Sequence, residues 1–263
     1  MIAQQRHAAI LELLDKSGIV HSSDLVKQMN VSSETIRKDL DYLEQEGRLM
    51  RVHGGAVPAQ ASQAAPVVSA PEGYTAFQTR NTQHMAEKAA ITKYAISLIK
   101  ENQVIALDYG STSQVMAEEL KENFYSLTVI TNSIKNALIL ADCPDFTIIL
   151  TGGILARDEL TLVNDFTPLL DHLHIDILFM TVTGIDPEIG CTDMRFSEAR
   201  IQNQMRKAAS RTVVLADSSK FGKGSLVKIC TLQDVDLIIT DSAVPADMET
   251  AIKEKGTELI IAQ

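Results

Sequence analysis

Asn30-Val31-Ser32-Ser33-Glu34-Thr35-Ile36-Arg37-Lys38-Asp39-Leu40 reads as a turn feeding a short helix. Ser32 is placed to cap it, since its hydroxyl can accept a hydrogen bond from an orphan N–H of the first turn. Glu34 in that turn suits the positive helix end. Ile36, Leu40 and Leu43 follow at spacings of four and three, which puts them on one face. Glu34, Lys38, Asp41 and Gln45 fall opposite, with Arg37 on the flank. An apolar back and a polar front with two cations near the start can lay in a DNA major groove. Ser32, Ser33, Glu34, Thr35, Arg37 and Lys38 are then the residues at bases and phosphates. A solvated surface helix has the same pattern, so the flanks decide.

Upstream, residues from about Gln4 to Lys16 form a first helix with Ile10, Leu13 and Leu14 on its apolar side, ended by Gly18. Ser22 caps a second helix holding Leu25, Val26 and Met29, and Asn30 makes the turn into the third. Downstream, Gly47 stops the third helix and Arg48 to Val52 alternates as a strand. His53-Gly54-Gly55 turns tightly before Ala56-Val57. This is a small hairpin, with Arg48, Arg51 and His53 set to meet phosphates or a minor groove. The first 57 residues are therefore predicted to be a mainly α, winged helix-turn-helix domain.

These residues resemble the DeoR family of bacterial sugar-metabolism regulators. The resemblance rests on Val31-Ser32, Thr35 through Leu40, Leu43-Glu44, Gly47 and Arg51 through Ala56. The family's usual second arginine in this helix is Lys38 here. That keeps the charge but loses the bidentate fork, so Lys38 is expected at a phosphate.

With 263 residues, one large or two ordinary domains are expected. No apolar run reaches the roughly 18 residues of a membrane span, and the N-terminus opens into a polar helical segment instead of a signal peptide. Cys143, Cys191 and Cys230 are scattered, without metal-type pairing, and read as small core residues of a reduced, cytoplasmic protein. No cofactor and no metal is expected. The net charge is −10, and residues 1–57 carry seven Lys/Arg against eight Asp/Glu, which leaves about −9 on the remainder. An acidic body excludes nonspecific coating of nucleic acid. It leaves operator DNA to the few cations of helix and wing, with steep salt dependence.

Residues 58–73 are Ala, Gln, Ser and Pro with Val67-Val68 as the only large apolar pair, and read as a linker. From 74 to 263 a second domain is expected. Order resumes around Phe77 and Arg80, and Glu87–Lys100 is helical. Apolar runs then alternate with helices: 104–107, 127–130, 146–150, 177–182, 212–216, 237–240 and 258–262. Buried strands alternating with helices mean a mostly parallel α/β sheet covered on both faces.

Ligands of such sheets bind outside the carboxyl ends of the strands, and these ends are polar. After the first strand come Asp108, Gly110, Ser111 and Thr112. Glycine, two hydroxyls and a helix N-terminus together suit an anion such as phosphate, although plain capping looks the same. Thr131, Asn132 and Ser133 repeat the design one strand later. Gly152-Gly153 and Gly184 close two further strands, and Lys220 follows another. Asp108, Asp186, Glu198 and Asp217 are placed to accept hydrogen bonds from sugar hydroxyls, or to cap turns. Arg195, Arg206 and Lys207 read as surface cations.

The resemblance extends here. DeoR-type regulators carry a C-terminal sensor domain similar to ribose-5-phosphate isomerase. The matching residues are Glu87-Lys88, Asp108 through Thr112, Thr131 through Ser133, Gly152-Gly153, Gly184 through Asp186, Glu198-Ala199 and Ala216 through Phe221. The resemblance implies an oligomeric repressor of a sugar or polyol operon with a phosphorylated sugar or polyol as effector. Symmetric operator binding implies a homodimer or homotetramer. Thr181 stands where the family usually has glycine, and Asn164 near another such position. The alternative is a sugar-phosphate isomerase or deaminase carrying a DNA-binding module. Such enzymes use an acidic loop and a lysine in a glycine-rich stretch before a glutamate. Between Asp176 and Glu198 this chain has neither, so no catalytic residue is assigned.

Overall fold

The structure, a computed structural model, describes residues 3–17, 20–29, 31–46, 48–52, 55–58, 77–163 and 169–263. Gly18, Asn30, Gly47, His53, Gly54, Asn164 and the linker beyond Pro58 lie outside the described residues. The chain divides into two compact units, Met1–Gly73 and Tyr74–Gln263.

In the first unit the expected periodicity becomes α1 (Ala3–Ser17), α2 (Ser22–Met29) and α3 (Ser33–Gln45). Their apolar stripes meet in one core of Ile10, Leu14, Leu25, Met29, Ile36, Leu40 and Leu43, closed by Val20, Leu49 and Ala56. The wing is β2 (Leu49–Val52) paired antiparallel with β3 (Gly55–Pro58). A two-residue strand, β1 (Val20–His21), joins the other edge of β3. Two residues cannot show alternation, so β1 left no signal in the sequence.

The second unit opens with α4 (Phe77–Thr82) and α5 (Met85–Ile96). Its centre is a seven-stranded parallel sheet of β4 (Val104–Leu107), β5 (Thr128–Thr131), β6 (Thr147–Leu150), β9 (Ile177–Thr181), β12 (Thr212–Leu215), β14 (Leu237–Thr240) and β15 (Glu258–Ile261). The order is β15-β14-β12-β9-β4-β5-β6. Alternate residues feed two cores, one on each face. Ile105, Phe179, Val213 and Ile239 pack with α5, α6 (Ser111–Asn123) and α7 (Ile134–Leu140). Ala106, Leu178, Val214 and Ile238 pack with α8 (Phe196–Ala208) and α9 (Ala246–Glu254). Burial on both faces is why these strands read as unbroken apolar runs. The chain runs outward from β4 through β5 and β6, then returns to build β9, β12, β14 and β15 on the other side. The direction of winding switches between β4 and β9, the kind of point outside which ligands of open α/β sheets bind.

Two small antiparallel pieces were not expected. One is the hairpin of β7 (Ile154–Ala156) and β8 (Thr161–Val163). The other joins β10 (Gly184–Asp186), β11 (Gly190–Asp193) and β13 (Val227–Cys230). Gly184-Ile185-Asp186, read as the turn closing a parallel strand, is thus itself a strand.

Candidate functional site

In the first unit Ser32 has φ −70° and ψ 155°, and its hydroxyl accepts from the Thr35 N–H at 3.1 Å. Ser33, Glu34, Arg37 and Lys38 are exposed on the front of α3, and Thr35 is half-buried with its hydroxyl 2.8 Å from that of Ser32. Arg37 donates two hydrogen bonds to the Glu34 carboxylate, at 3.0 and 3.1 Å. These bonds hold Glu34 below the usual carboxylate range and aim the guanidinium along the helix. On the wing Arg48 is exposed, whereas the Arg51 guanidinium pairs with Asp41 and its N–H donates to Glu44 at 2.8 Å. The wing is thereby fastened to α3.

Asp39 was missed. It lies on the apolar stripe of α3, three residues after Ile36 and four before Leu43, and is buried. Arg6 donates to it at 2.7 and 3.0 Å, and the His7 ring lies 2.9 Å away. This pins α1 to α3 and sets the presentation of the polar front.

In the second unit the turn expected to hold an anion starts at Gly110. Its φ of 125° is outside the range other residues favour. A Cβ there would also stand 2.7 Å from Thr181 Oγ1. Thr181 is therefore a structural partner of the turn. Its hydroxyl lies 2.6 Å from the Tyr109 carbonyl and 3.1 Å from the Asp108 carboxylate. Asp108 also accepts from the Thr181 N–H at 2.8 Å and from Gln202 at 2.9 Å. Burial pushes its carboxyl well above the usual range, with the bonds from Gln202 and Thr181 acting against this. The carboxylate holds β4 to β9 and α8, which corrects the expectation that it faces a ligand. Ser111 and Thr112 are buried in the first turn of α6. Ser113 Oγ bonds to the Asp108 carbonyl and to Asn136, tying α6 to α7.

A group of cations stands in the same unit, with Lys88 buried and Arg80, Lys135 and Lys220 half-buried. Lys220 is on a 3-10 turn, Ser218–Lys220, capped by Asp217, which accepts from the Ser219 N–H at 3.1 Å. Burial lowers the Lys220 pKa, Asp217 opposes this, and Arg80 adds to it. Lys88, 3% exposed, donates to the carbonyls of Gln83, at 2.6 Å, and Arg80. Burial lowers its pKa too, with Asp217 acting against and Lys220 and Arg80 acting with it. Arg80 donates to the buried Glu159 at 2.6 and 2.7 Å. Lys135 lies 2.9 Å from the centroid of the Phe77 ring, within the field of Glu159 and Arg80. Arg80, Lys88, Lys135 and Lys220 thus share their surroundings with two buried carboxylates, Glu159 and Asp217. Among the described residues, Glu87 also acts on Lys88 and Lys223 on Lys220, so cations outnumber carboxylates here in a chain of net charge −10. Sequence reasoning assigned Lys220 and Asp217 to the site, named Lys88 only within the family resemblance and Arg80 only where order resumes, and did not single out Lys135 or Glu159. The available signal was Lys88 on the buried stripe of α5, with Ile91, Thr92 and Ala95.

Thr131, Asn132 and Ser133 divide their work. Thr131 Oγ1 accepts from the Ser133 N–H at 3.1 Å, and Ser133 caps α7 by accepting from the Asn136 N–H at 3.3 Å. Asn132 is buried with both amide atoms unpartnered. Gly152-Gly153 joins β6 to the β7–β8 hairpin.

The remaining expected residues serve the fold. Gly184 admits the Lys223 carbonyl, which a Cβ would meet at 2.3 Å. Asp186 accepts from the N–H groups of Glu188 and Ile189, both at 2.9 Å, and closes the β10–β11 turn. Glu198 is buried and accepts from Arg195 at 3.3 Å and from Ser197. Lys207 is exposed, but Arg195 and Arg206 are not the surface cations expected. Arg195 pairs with Asp158 and Glu198, and Arg206 with Asp234. Among the described residues no helix is long and apolar enough to cross a membrane.

Comparison with known proteins bears on both units. The family model described as the DeoR-like helix-turn-helix domain matches residues 6–61, and that of the DeoR C terminal sensor domain matches residues 83–242. The HTH-type transcriptional regulator GolR of Listeria innocua is 34% identical over 264 residues, 100% of each chain. A lactose phosphotransferase system repressor of Staphylococcus epidermidis is 33% identical over 89% of this chain and 90% of its own. The glycerol-3-phosphate regulon repressor of Escherichia coli is 27% identical over 97% of each. Among solved structures, ribose 5-phosphate isomerase A from Methanocaldococcus jannaschii aligns over 51% of this chain and 53% of its own, with 20% identity and a TM-score of 0.38.

Proposed function

The chain belongs to the DeoR family of helix-turn-helix transcriptional regulators, and from that premise we propose that it represses a sugar or polyol utilisation operon under control of a phosphorylated effector. α3 reads operator bases and phosphates with Ser33, Glu34, Thr35, Arg37 and Lys38, while Arg48 and the wing meet the backbone. The protein acts in the cytoplasm as a symmetric oligomer, so that two half-sites are held at once. The effector alters the placement of those α3 helices by binding one arrangement better than the other.

The observation that carries the effector reading is the excess of cations over carboxylates around Lys88, Lys135 and Lys220 among the described residues. Lys88 is buried and Lys135 and Lys220 are half-buried, and ammonium groups that desolvation pushes toward neutrality gain from a dianion. A phosphate between Lys88 and Lys220, against the first turn of α6 at Ser111 and Thr112, supplies it. Relatives named for a lactose phosphotransferase system and a glycerol-3-phosphate regulon support the same chemistry. The isomerase alternative has no such support. The relatives compared are regulators, and the carboxylates nearest to an acidic loop are occupied: Asp186 in a turn, Asp193 by Tyr109 at 2.8 Å.

The test is a thermal-shift screen with inorganic phosphate and with sugar and polyol monophosphates. At a concentration of about 100 Kd the best ligand adds ~2.7 kcal/mol, a rise of several degrees in midpoint. Lys220→Ala is expected to weaken that ligand at least about tenfold, and Ser111→Ala less. A screen in which no phosphate compound moves the wild-type midpoint overturns the effector reading.

A further inference from the structure

The cation group accounts for a phosphate and leaves the rest of an effector unaddressed. A separate observation concerns that remainder. Asn132, Thr151 and Thr161 are buried at 0%, 4% and 0% exposure. Both amide atoms of Asn132 and the hydroxyls of Thr151 and Thr161 lack a hydrogen-bond partner. The three share one neighbourhood of backbone. Asn132 follows β5, and its carbonyl accepts from the Leu162 N–H at 2.7 Å. Thr151 follows β6, and its N–H donates to the Thr131 carbonyl at 3.1 Å. Thr161 opens β8 and bridges to Ser133.

Buried polar groups are nearly always satisfied, and an orphan costs stability. Adjacent residues of the same segments obey this, as Thr131 and Ser133 do. The orphans also adjoin the cation group. Glu159, which holds Arg80, lies two residues before Thr161, and Lys135 lies two after Ser133. None of the orphan groups is charged. An amide offers donors and an acceptor, and each hydroxyl offers both. That inventory complements alcohol groups, which also donate and accept.

We infer that Asn132, Thr151 and Thr161 bind the hydroxylated carbon chain of a sugar or polyol monophosphate and so decide which one is recognised. The inference rests on the phosphate reading above and adds the specificity half of that site.

Thr151→Val and Thr161→Val test it, since valine keeps the shape and removes the hydroxyl. Binding to the full chain is measured by calorimetry with inorganic phosphate, glycerol 3-phosphate, ribose 5-phosphate, fructose 6-phosphate, glucitol 6-phosphate and fructose 1,6-bisphosphate. The wild type is expected to bind one monophosphate more tightly than inorganic phosphate. Each valine variant is expected to weaken that monophosphate by about tenfold or more. Inorganic phosphate affinity stays the same, and the ligand-free melting midpoint stays level or rises. Monophosphate affinity unchanged in both variants overturns the inference and leaves the phosphate site standing. So does a wild type that prefers inorganic phosphate to every sugar phosphate. A ligand-free midpoint lowered by several degrees overturns it as well, because the hydroxyls would then be structural. A wild type that binds neither phosphate nor any sugar phosphate overturns the underlying reading.

Discussion

Asp39 and Lys88 share one property: each is an ionisable residue on the apolar stripe of its helix. Such a position costs stability unless partners are built around it, so each marks a place the fold has to serve. For Asp39, burial alone pushes the carboxyl up, but the hydrogen bonds from Arg6 and His7 outweigh it and hold the group below its usual range. A depressed folded value means that ionised Asp39 stabilises fully above its unfolded value of about 4, and that this is lost as pH falls through the folded value. Asp39→Asn is therefore expected to speed hydrogen exchange of α1 and α3 amides roughly tenfold at pH 7, the equivalent of one charged hydrogen bond. Its difference from wild type should narrow below pH ~4. A difference that stays constant down to pH 3 would mean that the charge of Asp39 contributes nothing. Both residues were visible in the sequence as breaks in a pattern. Their partners, Arg6 and the carbonyls of Arg80 and Gln83, were not, because side-chain hydrogen bonds across elements leave no periodic trace.

At the scale of elements, α3 was the most legible. Cap and amphipathic stripe agree over 13 residues. Ser32→Ala removes the acceptor for the Thr35 N–H and should cost about 1 kcal/mol in urea unfolding of the full chain. No change would show that water serves this exposed N–H as well as the serine does. The parallel strands were legible for a different reason, since double-sided burial writes them as continuous apolar runs. The β7–β8 hairpin and the β10–β11–β13 sheet were not. Gly184-Ile185-Asp186 and Gly190-Cys191-Thr192-Asp193 carry small and polar residues that tertiary contacts bury. Their strand character comes from antiparallel pairing with chain far away, as in Thr192 opposite Lys228.

For the molecule as a whole, charge sets the terms of DNA binding. Four cations belong to the recognition helix and wing among the described residues: Arg37, Lys38, Arg48 and Arg51. Two of them are held by Glu34 and Asp41. Log affinity for an operator fragment should fall with log salt by about 2 to 4 for each winged helix engaged. Lys38→Ala should reduce that slope by about one per engaged winged helix, with base preference retained. An unchanged slope in fluorescence anisotropy between 50 and 200 mM salt would remove Lys38 from the interface. The sequence by itself determined the helix-turn-helix, the parallel α/β sheet and the polar strand ends. These are local properties, written as capping, periodicity and runs of apolar residues. Only the tertiary structure decided which polar residues are engaged within the fold and which are not. It spent Asp108, Asp186 and Glu198 on the fold, gathered Arg80, Lys88, Lys135 and Lys220 from four separate segments, and left Asn132, Thr151 and Thr161 unpartnered. Hydrogen bonding and burial between distant residues make that choice, and neither follows from spacing along the chain.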